Sequence, residues 1–325
     1  MLQKMNIFLE GKMAYITPIS VILGVILAPY VESYKFLVPW LFACITFTGS
    51  LGSTFKSFKH VVAQPKPILI TLCILHVIMP LWAWGVGHVV FSGDIHTITG
   101  LILGMIIPTG ITSVIWVTIY RGNIALTLTL ILIDTFLSPF IVPYSMAILV
   151  GEKIEMNIFG MMSGLLWMVV IPSIAGMVCN QVTKGKAKVT IAPYLSPFSK
   201  LFLGIVVLLN SSIIAPYLRT IDWKLFSIII VVFIIAFTGY LFSFLMGIRM
   251  KMDRENVVAL TFLGGMRNIS AGAVLAVSYF PAQVAVPVVV GMLFQQILAS
   301  NFGHFVDRYY KKKFELLTNA TSRQN

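Results

Sequence analysis

Ten apolar stretches, roughly 14–31, 36–55, 67–91, 98–120, 124–150, 157–181, 198–217, 223–248, 256–280 and 282–305, follow one another with only short polar connections. Each is long enough to cross ~30 Å of hydrocarbon as a helix, which takes about 20 residues at a rise of about 1.5 Å apiece. Backbone in lipid has to satisfy its N–H and C=O groups within its own segment, so stretches of this kind read as helices. The chain therefore reads as an all-α membrane protein. With 58% of its 325 residues hydrophobic and 10% charged, it has too little polar surface for a water-soluble domain of its length. The connections leave no room for a soluble domain, so one transmembrane domain is expected over 1–310, followed by a basic cytoplasmic tail over 311–325. No cleavable leader is expected, since Lys4, Glu10 and Lys12 precede the first span without a small-residue cleavage site. Cys44, Cys73 and Cys179 fall within apolar stretches at no metal-like spacing and read as small buried packing residues.

A net charge of +12 raises the question of nucleic acid, but its distribution answers otherwise. Placed on alternating sides of ten spans, 18 Lys and Arg fall on the side that holds both termini, and four, Lys35, Lys153, Arg219 and Lys224, fall on the other. By the positive-inside rule both termini are cytoplasmic. Lys311, Lys312 and Lys313 then serve to anchor the last helix against anionic headgroups. The expected partners are the lipid bilayer and a small organic molecule, with no nucleic acid and a monomer as the assembly. The expected location is the cell membrane, of bacterial inner-membrane type. Asn319-Ala320-Thr321 has the form of a glycosylation sequon but lies on the cytoplasmic side of this topology.

The one basic residue that this topology leaves inside the membrane is Arg267. It sits in an otherwise uncharged run, Thr261–Ser278, beside Gly264-Gly265-Met266 and Asn268. An arginine on a helix in lipid costs at least roughly 2.5–3.5 kcal/mol, so such residues face protein or an aqueous cavity. The glycines suggest that the ninth span breaks there. A matching break is expected in the fourth span, at Ile106-Ile107-Pro108-Thr109-Gly110-Ile111-Thr112-Ser113. Spans 1–5 and 6–10 thus read as two halves in opposite orientations, the inverted-repeat pattern of secondary transporters, with a site where the breaks meet. Unwound backbone at that depth is tolerated only where protein or a wet cavity satisfies it.

Of the eleven acidic residues, only Asp134 lies inside a span, on one helical face with Thr127 and Ile131. Pairing Asp134 with Arg267 would offset much of the desolvation of both, so the two are expected to be close neighbours. That pair is either a fixed clamp or a coupling and charge site. His76, on the third span before Met79-Pro80, either bonds a neighbouring helix or titrates. Thr112, Ser113 and Asn268 at the breaks, and Gln295 and Gln296 in the tenth span, are candidates for substrate contact or for helix–helix bonding. No His/Glu metal motif, nucleophile–base pair or diacidic signature occurs within the spans, so an enzyme is not expected.

Pro108-Thr109-Gly110 with Thr112-Ser113, then Arg121-Gly122-Asn123-Ile124-Ala125-Leu126, Ser138-Pro139, and Gly264-Gly265-Met266-Arg267-Asn268 resemble the bile acid:sodium symporter family over nearly all ten spans. The resemblance implies a panel of spans 1, 2, 6 and 7 and a core of spans 3–5 and 8–10, with broken helices 4 and 9 crossing. It further implies two sodium ions behind the crossover and an organic anion, bile-acid-like or a smaller carboxylate or sulfonate, carried by alternating access. Several positions depart from that pattern. Leu263 and Arg267 stand where the family has an acidic residue and a glutamine, Val114 replaces an asparagine, Ile131 a hydroxyl ligand, and His76 a glutamine. Sodium needs several hard oxygen ligands, and these changes remove oxygens while adding a fixed positive charge. The expectation is a sodium-independent transporter in which Arg267 replaces a sodium ion, with no cofactor and no metal, and with proton coupling as the alternative drive. Two competing readings are a symporter with one residual sodium site at Ser113, Thr127 and Asn268, and an anion-binding receptor that no longer transports.

Overall fold

A computed structural model describes residues 13–53, 65–151, 156–220 and 222–322, with Asn6, Leu9 and Ile154 besides, and side chains as far as Lys312. Lys4, Glu10, Lys12, Lys56, Lys59, Glu152, Lys153 and Glu155 lie outside the described residues, as do the Lys313 side chain and the sequon side chains.

Regular structure among the described residues is helical apart from one isolated bridge. Seven helices are long and apolar enough to cross a membrane: Tyr15–Ser50, Pro65–Val90, Ile124–Val150, Ile158–Val182, Ala192–Ile213, Trp223–Arg249 and Ala282–Lys312. The first of these covers two expected spans, and a 3-10 turn at Glu32–Leu37 divides it into α1 (Met13–Val31) and α2 (Val38–Ser50). The third expected span is α3 (Pro65–Val90), with a π turn at Ile74–Ile78 that carries His76. The fourth is α4 (Ile95–Ile106) and α5 (Ser113–Ile119), and the fifth is α6 (Ile124–Val150). There follow α7 (Ile158–Val182), α8 (Ala192–Ile213) and α9 (Trp223–Arg249). The ninth is α10 (Arg254–Gly265) and α11 (Ile269–Tyr279), and the last is α12 (Ala282–Ser322), which runs on through the expected tail.

Helix starts follow from capping side chains. Asp94, Asn123, Asp222, Asp253 and Asn268 each accept a backbone N–H in the first turn of α4, α6, α9, α10 and α11. The breaks follow from proline and glycine. Pro108 excludes Ile107 from the helical region, and Ile107 is extended at ψ 149°. Helix α10 ends on Gly264-Gly265 with Met266 extended at ψ 128°. A Cβ at Gly265 would run into the Tyr240 ring of α9 and one at Gly264 into Ser243, so both glycines are required by close packing.

Helix α8 packs on α1 and α2, and α7 on α2. Separately, α9 packs on α10, α12 on α4, and α3 on α4. Large apolar side chains cover the outside, among them Val89 at 83%, Ile148 at 81% and Phe159 at 80% exposed, a surface that lipid rather than water covers. The cysteines correct one expectation: Cys44 and Cys73 are exposed and Cys179 is half-buried. In a membrane protein an outward-facing thiol meets hydrocarbon, so an apolar sequence context does not distinguish inside from outside.

Candidate functional site

The two breaks meet. Thr109 and Arg267 form an antiparallel bridge, in which the Gly110 N–H donates to the Met266 carbonyl (3.2 Å) and the Asn268 N–H to the Pro108 carbonyl (2.8 Å). Gly110 is needed for this approach, since a Cβ there would lie 2.9 Å from the Arg267 carbonyl oxygen. The interrupted ladders are completed by side chains. Thr109 Oγ1 donates to the carbonyls of Leu263 (2.9 Å) and Met266 (3.0 Å). Leu263 would have accepted from the Arg267 N–H had the helix continued; that N–H donates instead to Gln295 Oε1 (3.1 Å).

A cavity of about 140 Å³ lies against the crossover, walled by Thr17, Phe42 and Thr46 on one side and Thr112, Arg267 and Asn268 on the other. Gln295 and Gln296 close it from α12. The Asn268 side chain caps α11, and Ile269 and Ser270, at that helix's electropositive start, also line the cavity. Gln296 Oε1 accepts from Trp116 Nε1 (3.0 Å). A second, smaller cavity of about 30 Å³ lies between α4, α9 and α12, and Arg267 and Gln295 contribute to both walls.

Arg267 is 2% exposed, and its Nε and both terminal nitrogens have no hydrogen-bond partner among the described residues. The expected pairing with Asp134 is not made. Asp134 is fully buried; its Oδ2 accepts the Thr109 N–H (2.6 Å) and its Oδ1 bonds His76 Nε2 (2.6 Å). The cause is the crossover itself. Unwinding the fourth span frees the Thr109 amide deep in the protein, and the carboxylate opposite it satisfies that donor. The charges of Asp134 and Arg267 still act on each other at longer range.

The structure thus gathers Thr112, Asn268, Gln295, Gln296 and Arg267 at one cavity, and His76 with Asp134 behind the crossover. Ser113 and Thr127 line neither cavity: the Ser113 hydroxyl is buried without a partner among the described residues, and Thr127 Oγ1 donates to the Asn123 carbonyl (2.8 Å) within its own helix. Sequence reasoning left Thr109 out of the site. Its place in Pro108-Thr109-Gly110 was the available signal, because a hydroxyl between two helix breakers is positioned to cap freed carbonyls. No sequence signal pointed to Thr17, Phe42 or Thr46, which reach the cavity only through packing.

The profile of the sodium bile acid symporter family matches residues 39–221, more than half of the chain. The chain belongs to this family. Transport, not catalysis, is what the family does, and the chain is a multi-pass membrane transporter rather than an enzyme. Among relatives of the chain, the uncharacterized protein YbaS of Bacillus subtilis is 53% identical over 92% of this chain and 98% of its own length. An uncharacterized sodium-dependent transporter of the same organism, YocS, is 26% identical over 86% of this chain and 88% of its own. A probable chloroplastic sodium/metabolite cotransporter of Arabidopsis thaliana, BASS1, is 27% identical over 92% of this chain and 75% of its own.

Proposed function

We propose that this symporter relative carries a small organic anion across the cell membrane by alternating access, without sodium, and that Arg267 is the cation that binds it. The protein works as ten spans in two inverted halves, with both termini cytoplasmic and as a monomer. A core of spans 3–5 and 8–10 moves against a panel of spans 1, 2, 6 and 7. The observation that carries this reading is the guanidinium of Arg267, buried beside the cavity with none of its nitrogens bonded among the described residues. An ionised group left unpaired away from water is penalised by several kcal/mol, and Asp134, the carboxylate whose charge acts on it, has both oxygens engaged elsewhere. The counter-ion is then the cargo. A carboxylate or sulfonate accepts the paired N–H donors of arginine in one plane. A cavity of about 140 Å³ suits a small anion of this class better than a sterol-sized one.

The relatives named above as sodium-dependent or sodium/metabolite transporters favour a sodium-coupled alternative, and so does the unpartnered Ser113 hydroxyl. Against it stand Leu263, fully buried, and Ile131, 5% exposed, which present no oxygen where the family pattern places ligands, beside a fixed positive charge. Binding of pyruvate, isethionate and taurocholate to purified protein, followed by uptake into liposomes with and without a sodium gradient, tests the proposal. Wild type is expected to bind at least one of them in sodium-free buffer and to transport it equally in both conditions. Arg267→Gln is expected to lose at least about 100-fold in affinity, since removing one partner of a buried ion pair costs about 3–5 kcal/mol. Strict sodium dependence of wild-type uptake would overturn the sodium-free reading, and unaltered binding by Arg267→Gln would overturn the role of the arginine.

A further inference from the structure

We infer that the His76–Asp134 pair is the site of a co-transported proton, and that one proton on His76 Nδ1 accompanies each monovalent anion. The inference rests on the anion reading of Arg267 and adds to it the identity and stoichiometry of the coupling ion.

Asp134 and Arg267 are the only buried charged residues among those described, so the crossover is neutral while His76 is uncharged. Adding a monovalent anion at Arg267 leaves one net negative charge in a low-dielectric interior, which is costly unless compensated. A proton bound at His76 restores neutrality. His76 Nε2 is committed to Asp134 Oδ1 at 2.6 Å, while Nδ1 is buried and bonded to nothing among the described residues. One ring nitrogen is held by a carboxylate that stabilises the imidazolium; the other is a vacant base. Protonating Nδ1 makes both ring nitrogens donors and converts the hydrogen bond to Asp134 into an ion pair.

The proton site and the anion site are also mechanically connected. Asp134 Oδ2 holds the Thr109 N–H, and Thr109 bridges Arg267 and caps the end of α10. Strengthening the His76–Asp134 pair therefore acts on the same few residues that position the guanidinium.

Other titratable groups do not substitute for this pair. On α3, Lys66 and His88 are ten and twelve residues from His76, about 15–18 Å along the helix, and Cys73 is exposed. His96 of α4, Lys224 and Arg249 of α9, and Arg254 and Glu255 of α10 sit at helix ends; Tyr144 of α6 is more than two turns beyond Asp134. Tyr240 of α9 donates to the Gln295 carbonyl (3.2 Å). Among the described residues Asp134 alone bonds the imidazole.

The test adds pyruvate, isethionate and taurocholate to purified protein in weakly buffered, sodium-free solution and follows pH with an indicator dye. Wild type is expected to take up about one proton per bound anion, with affinity highest at low pH. That affinity is expected to fall as pH rises, by up to about tenfold per pH unit for one linked proton. His76→Gln, which keeps a donor for Asp134 but no proton site, is expected to bind with no proton uptake and no pH dependence. Wild-type binding without proton uptake and at constant affinity from pH 5 to pH 8 would overturn the inference, whether or not the variant folds. If none of the three anions binds wild type, the anion reading fails by itself, and the proton site is read separately by nitrogen-15 NMR of labelled histidine. Nδ1 of the residue missing in His76→Gln is then expected to titrate with solvent pH, and an Nδ1 indifferent to pH would refute the site.

Discussion

Removing the Thr109 hydroxyl isolates what holds the crossover together. Thr109→Val keeps the volume and the backbone N–H bonded to Asp134, and deletes only the donor to the Leu263 and Met266 carbonyls. Met266 retains the Gly110 N–H at 3.2 Å, so a single carbonyl, that of Leu263, is orphaned in a fully buried place. An orphaned buried acceptor costs about 1–3 kcal/mol in water-soluble proteins. Measured hydrogen bonds between membrane helices run lower, from about 0.6 on average to about 1.7 kcal/mol at most. With one acceptor lost and no water to replace the donor, about 1–2 kcal/mol is expected. At a few degrees per kcal/mol, that lowers the melting temperature in detergent by roughly 2–5 °C. Thermal unfolding of purified wild type, Thr109→Val and Thr109→Ser checks the reasoning, since serine restores the hydroxyl without the methyl. A valine variant as stable as wild type beside a destabilised serine variant would refute it, because the methyl's packing would then outweigh the cap.

Two further perturbations probe the surroundings. Gly265→Ala forces a Cβ into the Tyr240 ring and is expected to destabilise by about 1–3 kcal/mol, read as lost monodisperse yield and melting temperature; wild-type behaviour would show that α9 and α10 are not packed this closely. Outside the membrane, burial pushes the Asp94 carboxyl up, but the Lys224 ammonium at 2.7 Å and the hydrogen bonds from Thr97 outweigh it and hold the carboxyl below its ordinary value of 3.8. A depressed carboxylate stabilises the fold above its ordinary value and ceases to do so as pH falls through the lowered one. Asp94→Asn, which keeps the cap on α4, is therefore expected to melt below wild type at pH 7, with the gap narrowing as pH falls below 3.8. A gap that does not narrow would contradict this.

Much of the site was legible in the sequence because its residue types are expensive in lipid. Arg267 and Asp134 stood out as charges that topology could not place in loops, and both are buried. The two breaks were legible because proline and paired glycines act locally, whatever the rest of the chain does. Partner choice was not legible. Sequence reasoning matched the two unpaired charges with each other, but whether they touch depends on which donors the crossover frees, and that is a property of two backbones meeting. The cysteines failed for a similar reason: lipid and protein interior select the same apolar residues, so composition does not tell one face of a membrane helix from the other.

The sequence by itself determined that the chain is an assembly of membrane helices, where two of them unwind, and which charges are trapped inside. These follow from the energetics of single segments in hydrocarbon and need no knowledge of neighbours. Only the tertiary structure decided that Thr109 lies across from Arg267, that Asp134 goes to His76 and the Thr109 amide, and that the guanidinium is left beside a cavity without a partner among the described residues. Those outcomes depend on how backbone groups freed from two distant helices compete for the same few buried acceptors, and that competition exists only once the helices have crossed.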